Sequence, residues 1–434
     1  MKICSKKDIK AITAVMTGVM LLGGCSKTPA KKNETPMKND PQLKTEIDLN
    51  EVKNTDYDND LMYEEYRRYC FDLMNQAIAD NNSSGNIMIS PASIMMALDM
   101  VAAGSKNESL KQLTDLFAEN QDPLAQQAFA SALMDRINDS KDIDFSCANA
   151  VWSNRTLLGD SVNMDYVEYI QKTFDAEYTQ TAFDSNTTKE INNWIDENTK
   201  HMIDKAIEGL DDDTVMVLVN AIAFDAKWAE PYDSDHINDG DFRSAKGGTQ
   251  NATFLNESTA YYYETEKATG FIKNYKGGEY AFLMILPTDE SVNANDFLKN
   301  FTAEDYEKFI ASRTDEYDVY TKMPEFKYDY EFMVNDTLQQ LGVKDVFDSD
   351  KADLSGIAGQ PGDLYVSEVI HKTHIEVDSN GTKAAAVTAV TLDCAGCEPV
   401  TREYRQVICD RPFAYAIVDL ETMAPIFIGT VNEV

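Results

Sequence analysis

Apolar positions recur with a helical period in the first half of this chain and gather into strand-like runs in the second. Tyr66, Tyr69, Cys70, Leu73, Met74, Ala77 and Ile78 fall three or four residues apart and predict one helix. Ile94, Ala97, Leu98, Val101 and Ala102 predict another, entered through Ser90-Pro91 and stopped at Gly104. Ile191, Trp194 and Ile195, then Met202, Ile203 and Ile207, predict two further helical faces. Residues 215–224 are almost all apolar and rich in β-formers, the pattern of a central strand buried on both faces. Residues 281–286 form a similar run closed by Pro287, and 413–418 and 425–431 flank a turn at 419–422. Helices early and strands late predict an α+β fold with a large sheet, rather than a doubly wound α/β one.

Residues 58–434 contain no Pro/Gly/Ser-rich linker, no low-complexity run and no repeat, so they are expected to form one domain. The N-terminus differs. Lys2, Lys6, Lys7 and Lys10 precede an apolar stretch at 11–22, the length of an export leader and short for a membrane span. It ends Leu22-Gly23-Gly24-Cys25, which resembles the bacterial lipobox. On that resemblance residues 1–24 are a lipoprotein signal peptide and Cys25 becomes the lipidated first residue; the alternative is an ordinary secretory signal ending near a cysteine. Residues 25–57 are polar, with Pro29, Pro36 and Pro41 and no apolar period, and predict a flexible tether outside the fold. The expected protein is exported, lipid-anchored in the membrane through Cys25 at the bacterial cell surface, or secreted.

Composition removes several classes. At 434 residues, 43% hydrophobic and 26% charged, the chain is of ordinary globular type. Its 74 acidic and 39 basic residues give a net charge of −35, which repels nucleic acid and anionic membrane surfaces. Seven cysteines are too few for a disulfide framework. There is no P-loop, HExxH, GxSxG or helix-opening GxGxxG, and only four histidines. His371 and His374, three apart on an extended segment, point to opposite faces and suit a shared metal poorly. Asp348, Asp350 and Asp353 tempt a calcium-loop reading, but the sixth position, which needs glycine, is Asp353. Cys394-Ala395-Gly396-Cys397 is a lone CxxC, weak support for zinc or redox catalysis. Neither metal nor cofactor is expected. A surface-lipoprotein peptidase or solute binder would need a nucleophile–base pair or a pocket that this sequence does not offer.

Five separated stretches carry a resemblance. Asn86 to Ile94 is similar to the N-x-x-x-S-P-x-S-I motif of serpins. Ile191-Asn192 through Thr199 and Ile203 resembles the family's helix before the inner strands. Asn220-Ala221-Ile222-Ala223-Phe224 through Lys227-Trp228 resembles its N-A-x-x-F-x-x-x-W strand. His371-Lys372, Ile375-Glu376-Val377 and Gly381-Thr382 resemble its H-K-x-x-x-E-V…G-T strand and hinge. Asp410-Arg411-Pro412-Phe413 with Phe427-Ile428-Gly429 resembles its C-terminal barrel segment. Together they span about 60–434 in order. Departures are His201 where the family often has Gly, Ser379 where the hinge usually has Glu, and Lys383 where a Glu is common.

The resemblance implies three sheets, about nine helices and an exposed reactive-centre loop, here about 379–408, on a metastable body. A serine protease cleaves the loop and is held as an acyl-enzyme while the loop inserts into the main sheet. Such an inhibitor is consumed, so it is not an enzyme in the turnover sense, and a monomer is expected. The hinge residues support insertion independently. After Gly381, one alternate face carries Thr382, Ala384, Ala386, Thr388, Val390 and Leu392, with no charge; the other carries Lys383, Ala385, Val387, Ala389, Thr391 and Asp393, with both. No proline interrupts 382–393. The competing reading is a serpin that serves only as a cleavable substrate or binding protein, motivated by Ser379 and Lys383.

In the family the scissile bond lies about fourteen residues past the hinge glycine, which gives Ala395-Gly396 here. Counting back from Asp410 gives a bond near Arg402, because the loop is longer than usual. Cleavage at Arg402 would leave on the order of 20 Å of slack in the tether between sheet and protease. Ala395-Gly396 is therefore preferred, then cleavage at Cys394 or Gly396, and the small side chains suit the shallow pocket of an elastase-like protease. Cys394 and Cys397 flank that bond and are candidates for a loop-bending disulfide, against free thiols or a pairing with Cys409. The resemblance also gathers Ser90, Ser93, Asn220 and His371 beneath the strand gap, with Trp228 where the loop first enters. Each of the four polar residues could instead be merely a satisfied core polar group.

Overall fold

The computed structural model describes residues 14–24, 46–52, 55–81, 84–119, 121–140, 143–259, 261–382 and 402–434. Three sheets and ten α-helices are present among these residues. The main sheet runs β12 (Phe326–Met333), β13 (Leu364–Val377), β1 (Ala14–Gly24), β5 (Thr214–Lys227), β3 (Asp144–Asn154), β4 (Ala176–Thr181), with β14 (Gly381–Thr382) paired to one end of β5. The second sheet runs β2 (Ile87–Ile89), β17 (Pro425–Val431), β16 (Phe413–Asp419), β10 (Tyr280–Pro287), β9 (Ala268–Asn274), β8 (Tyr263–Glu264). The third runs β15 (Glu403–Ile408), β11 (Tyr317–Pro324), β7 (Thr249–Thr259), β6 (Ile237–Arg243).

The expected central strand is β5, and its alternation sorts the core. Met216, Leu218, Ile222 and Phe224 belong to the large cluster between the main and second sheets. Val217, Val219 and Ala223 belong to a smaller cluster on the opposite face, with Trp152, Ile191 and Ile195. Below the sheet runs the helix Pro91–Ala103, in which every residue is buried. Ser90 caps it, its Oγ accepting the Ser93 N–H at 3.2 Å, with Pro91 in the first position, where a missing N–H costs nothing. The α+β class and the predicted helices over 66–78, 94–102 and 191–195 are all present.

Three expectations change. Residues 202–207 are not helical. The helix Ser185–Asn198 ends where Lys200 and His201 take φ of 54° and 65°. The Asn192 side chain then holds the next segment, accepting from the Ala206 and Ile207 N–H groups and donating to the Ile207 carbonyl. A side chain thus satisfies the backbone that a helical turn would have satisfied. Second, residues 46–52 of the expected tether lie against the body, with Ile47 and Val52 in the core cluster. Two apolar residues five apart anchor this segment without any period to announce them. Third, the apolar stretch expected to stand outside the fold contributes β1, antiparallel to both β5 and β13, in the chain that retains it. Met20, Leu21 and Leu22 are buried there.

Candidate functional site

The residues singled out beneath the gap converge at mid-sheet. Asn220 on β5 and His371 on β13 stand opposite Gly18 of β1, one on each side. Ser93 Oγ donates to Asn220 Oδ1, and Asn220 Nδ2 donates to Asn149 Oδ1 at 2.8 Å and to the Cys147 sulfur at 3.1 Å. His371 turns to the neighbouring turn instead, its Nε2 accepting the Ser90 N–H at 3.3 Å. Its Nδ1 is buried with no hydrogen-bond partner among the described residues, and Phe332 meets the ring edge-on at 5.5 Å. Burial lowers the His371 pKa to about 3, so the ring is neutral, and the accepting role of Nε2 assigns the proton to Nδ1. His374, three residues on, pairs through Nδ1 with Asp329 of β12. The two histidines thus serve different partners.

The residues expected to form the hinge stand at the far end of β5. Asp378, just after β13, folds the chain back in an Asx turn: its Oδ1 accepts the Asn380 N–H at 2.7 Å and the Gly381 N–H at 3.2 Å. Trp228, the residue after β5, clamps this turn. Its indole N–H donates to the Asp378 carbonyl at 3.0 Å, its backbone N–H to the Asn380 carbonyl at 3.1 Å, and its ring stacks on Tyr275 at 4.7 Å. The Ser379 N–H donates to Glu325 Oε1 at 3.1 Å, and its carbonyl accepts from the Tyr232 N–H at 2.9 Å. Burial raises the carboxyl pKa of both Asp378 and Glu325. Gly381 has φ 143°, and a Cβ there would sit 2.5 Å from the Ala226 carbonyl oxygen, so the close approach to β5 needs glycine. From this turn Gly381 pairs with Lys227 and Thr382 with Ala226.

Ala384, Ala385, Ala386, Thr388, Cys394, Ala395, Gly396, Cys397 and the lipidation candidate Cys25 lie outside the described residues. Arg402 is described and exposed, just before β15. Cys409 is a free, fully buried thiol whose pKa burial raises. Sequence reasoning missed Asp378, whose Asp-x-Asn-Gly spelling is a turn signal. It also missed Asn149 and Cys147, 71 and 73 residues from Asn220, which only the pairing of β3 with β5 brings to it.

Comparison with known proteins gives one family throughout. The family profile described as "Serpin (serine protease inhibitor)" matches residues 64–434. The leukocyte elastase inhibitor A of Mus musculus is 30% identical over 368 residues, covering 82% of this chain and 95% of the relative. The leukocyte elastase inhibitor of Homo sapiens is 28% identical, covering 83% and 96%. Among solved structures, the native state of the thermophilic serpin tengpin superposes with a TM-score of 0.78 at 34% identity, covering 88% of this chain and 96% of that one. With three sheets among the described residues, a buried Ser-Pro helix and Gly381-Thr382 turned onto the central strand, this chain belongs to the serpin family.

Proposed function

We propose that this serpin is a suicide inhibitor of serine proteases of the elastase-like class. The protease serine attacks the Ala395 carbonyl, Gly396 departs as a new amino terminus, and the ester to Ala395 persists while the loop enters the main sheet. The observation that carries this reading is the pairing of Gly381 and Thr382 with Lys227 and Ala226. Continued in that register, residue 392 would fall opposite Met216, and with the bulge that β1 shows between Met216 and Thr214 the last rung would fall opposite position 393. The slot thus runs out two residues before Ala395, which supports that bond over Arg402, where a trypsin-like protease would nick without trapping. The uncharged alternate face from Thr382 to Leu392 suits burial. On this reading the chain is exported, loses residues 1–24, is lipid-anchored through Cys25 and acts as a monomer.

The test mixes the exported, processed chain with pancreatic elastase. A complex that survives boiling in detergent, and a released loop fragment beginning at Gly396 by mass spectrometry, are the expected results. Complete cleavage without complex would establish the substrate-only alternative.

A further inference from the structure

The segment Ala14–Gly24 occupies the place in the main sheet that the reactive loop would take. Along β5, Ala14 stands opposite Phe224, Gly18 opposite Asn220, Met20 opposite Leu218 and Leu22 opposite Met216. Were the β14 register continued, those same rungs would fall to loop residues 384, 388, 390 and 392. The direction is also shared, because β1 and β14 both run antiparallel to β5. The buried pattern matches. Met20 and Leu22 enter the core on the side of Met216 and Leu218, where Val390 and Leu392 would go. Leu21 enters the cluster on the opposite face. On its other edge β1 is laddered to β13 from Val15↔His374 to Gly24↔Leu364, and the Ser367 hydroxyl donates to the Leu21 carbonyl at 3.0 Å. Two strands cannot share one set of backbone partners.

We propose that residues 14–24 are an internal competitor for the reactive loop: while they remain attached they fill the slot and prevent the loop from inserting. The chain that keeps them is a protease substrate, and it becomes a trap when they leave. Geometry gives the device a release point, since β1 ends at Gly24, immediately before Cys25. A cut there removes the whole strand and none of the body. An inhibitor carried to the cell surface would thus be held inactive until its leader is processed. The inference rests on the inhibitor reading above for its consequence, but slot occupancy has a readout of its own.

The experiment uses the full chain expressed without export, so that residues 1–24 stay in place, beside two variants. Met20→Asp/Leu22→Asp puts two charges into the core, and Gly18→Pro removes one ladder N–H. The first readout is hydrogen exchange of amides in 214–224 and 366–374, expected at least about tenfold faster in the variants. The second is melting before and after the loop is nicked by any protease. The wild-type chain should gain only a few degrees and the variants roughly tens of degrees, as a freed slot accepts the loop. The third is the boiling-resistant elastase complex, expected only in the variants. Unchanged exchange in both variants, or a nicked wild-type chain that gains as much heat resistance as they do, overturns the proposal. Variants that gain heat resistance on nicking but form no complex uphold the competitor and sink the inhibitor reading instead.

Discussion

The Nε2 of His371 accepts the backbone N–H of Ser90 at 3.3 Å, tying β13 to the turn that starts the buried helix below it. An acceptor nitrogen works only while the ring is neutral. In the folded chain His371 takes a proton only near pH 3, because burial disfavours the cation, whereas the unfolded chain takes it near its ordinary value of 6.5. Between those limits the unfolded state holds the extra proton, so acid favours unfolding. Stability from this residue is complete above about pH 6.5 and lost as pH falls towards 3, a total on the order of 5 kcal/mol at about 1.4 kcal/mol per unit. His371→Gln keeps an acceptor that does not titrate. Melting curves of the two proteins from pH 7 to pH 4 should diverge, the wild type falling more steeply; parallel curves would remove His371 as the acid-sensitive contact.

Asp99 gives the opposite sign. It is fully buried in the helix Pro91–Ala103, and its Oδ1 accepts from Gln126 Nε2 at 2.6 Å and Gln127 Nε2 at 3.1 Å. Asp99 Oδ2 and Gln126 Oε1 are both buried acceptors without a partner among the described residues. A proton on Oδ2 would turn one of these two buried acceptors into a donor. Burial raises the Asp99 pKa well above its ordinary value, so its contribution is present in acid and lost as pH rises beyond the usual carboxylate range. Asp99→Asn supplies the same donor without titrating. It should match the wild type near pH 4 and gain on it by pH 8, whereas Asp99→Leu orphans two amides and should lose about 1–3 kcal/mol for each. A wild type that outperforms Asp99→Asn at pH 8 would show that the carboxylate is ionised.

How far the sequence exposes this architecture depends on the reach of each interaction. β5, β16 and β17 are legible because burial of whole strands writes continuous apolar runs, and the Ser90 cap because its parts are neighbours. The hinge turn is half legible: Gly381 announces itself, but the Trp228 clamp on Asp378 joins residues 150 apart. Residues 202–207 mislead because their apolar spacing is helical while Asn192, fourteen residues upstream, takes over the backbone bonding. The stretch 11–22 has the composition of a leader and also the length of a strand, and composition cannot distinguish the two.

The departure at His201 has a price in backbone strain. His201 sits at φ 65°, beyond the helix Ser185–Asn198, with its N–H on the Asp196 carbonyl at 2.7 Å. Left-handed backbone costs a side chain about 1–2 kcal/mol relative to glycine. The exposed contact of His201 Nδ1 with Asp196 Oδ2 returns little of that. His201→Gly should therefore stabilise the protein by about 0.5–1 kcal/mol, a rise of a few degrees or less in Tm. A lower Tm for the glycine variant would mean that the imidazole contact outweighs the strain.

At the hinge the constraint runs the other way. An alanine at 381 would bring its Cβ to 2.5 Å from the Ala226 carbonyl and 2.7 Å from the Trp228 nitrogen, both backbone atoms that cannot swing aside. Gly381→Ala should lift β14 off β5 and expose the loop base. Limited proteolysis near residue 382 should quicken several-fold while Tm falls by only a few degrees, because the pairing spans two residues. Unchanged proteolysis would show that the turn tolerates the added carbon.

The final prediction separates the two faces of the loop. Thr382 stands opposite Ala226, which belongs to the main core cluster, so on the proposed insertion a residue on its face would have to enter that core. Thr382→Arg would carry a charge into the first buried rung without a partner, and desolvation then opposes the step that must outrun deacylation. By alternation in an inserted strand position 383 would fall on the other face, so Lys383→Glu changes the charge by two, twice the change in Thr382→Arg, without asking the core to accept it. In the processed chain, Thr382→Arg should convert elastase trapping into turnover, with complex yield falling at least about tenfold for a barrier increase of about 1.4 kcal/mol. Lys383→Glu should leave the yield within about twofold, a change of less than about 0.5 kcal/mol. Equal losses in both variants would mean that charge anywhere near the hinge disturbs protease docking, and that alternate burial of the loop does not govern trapping.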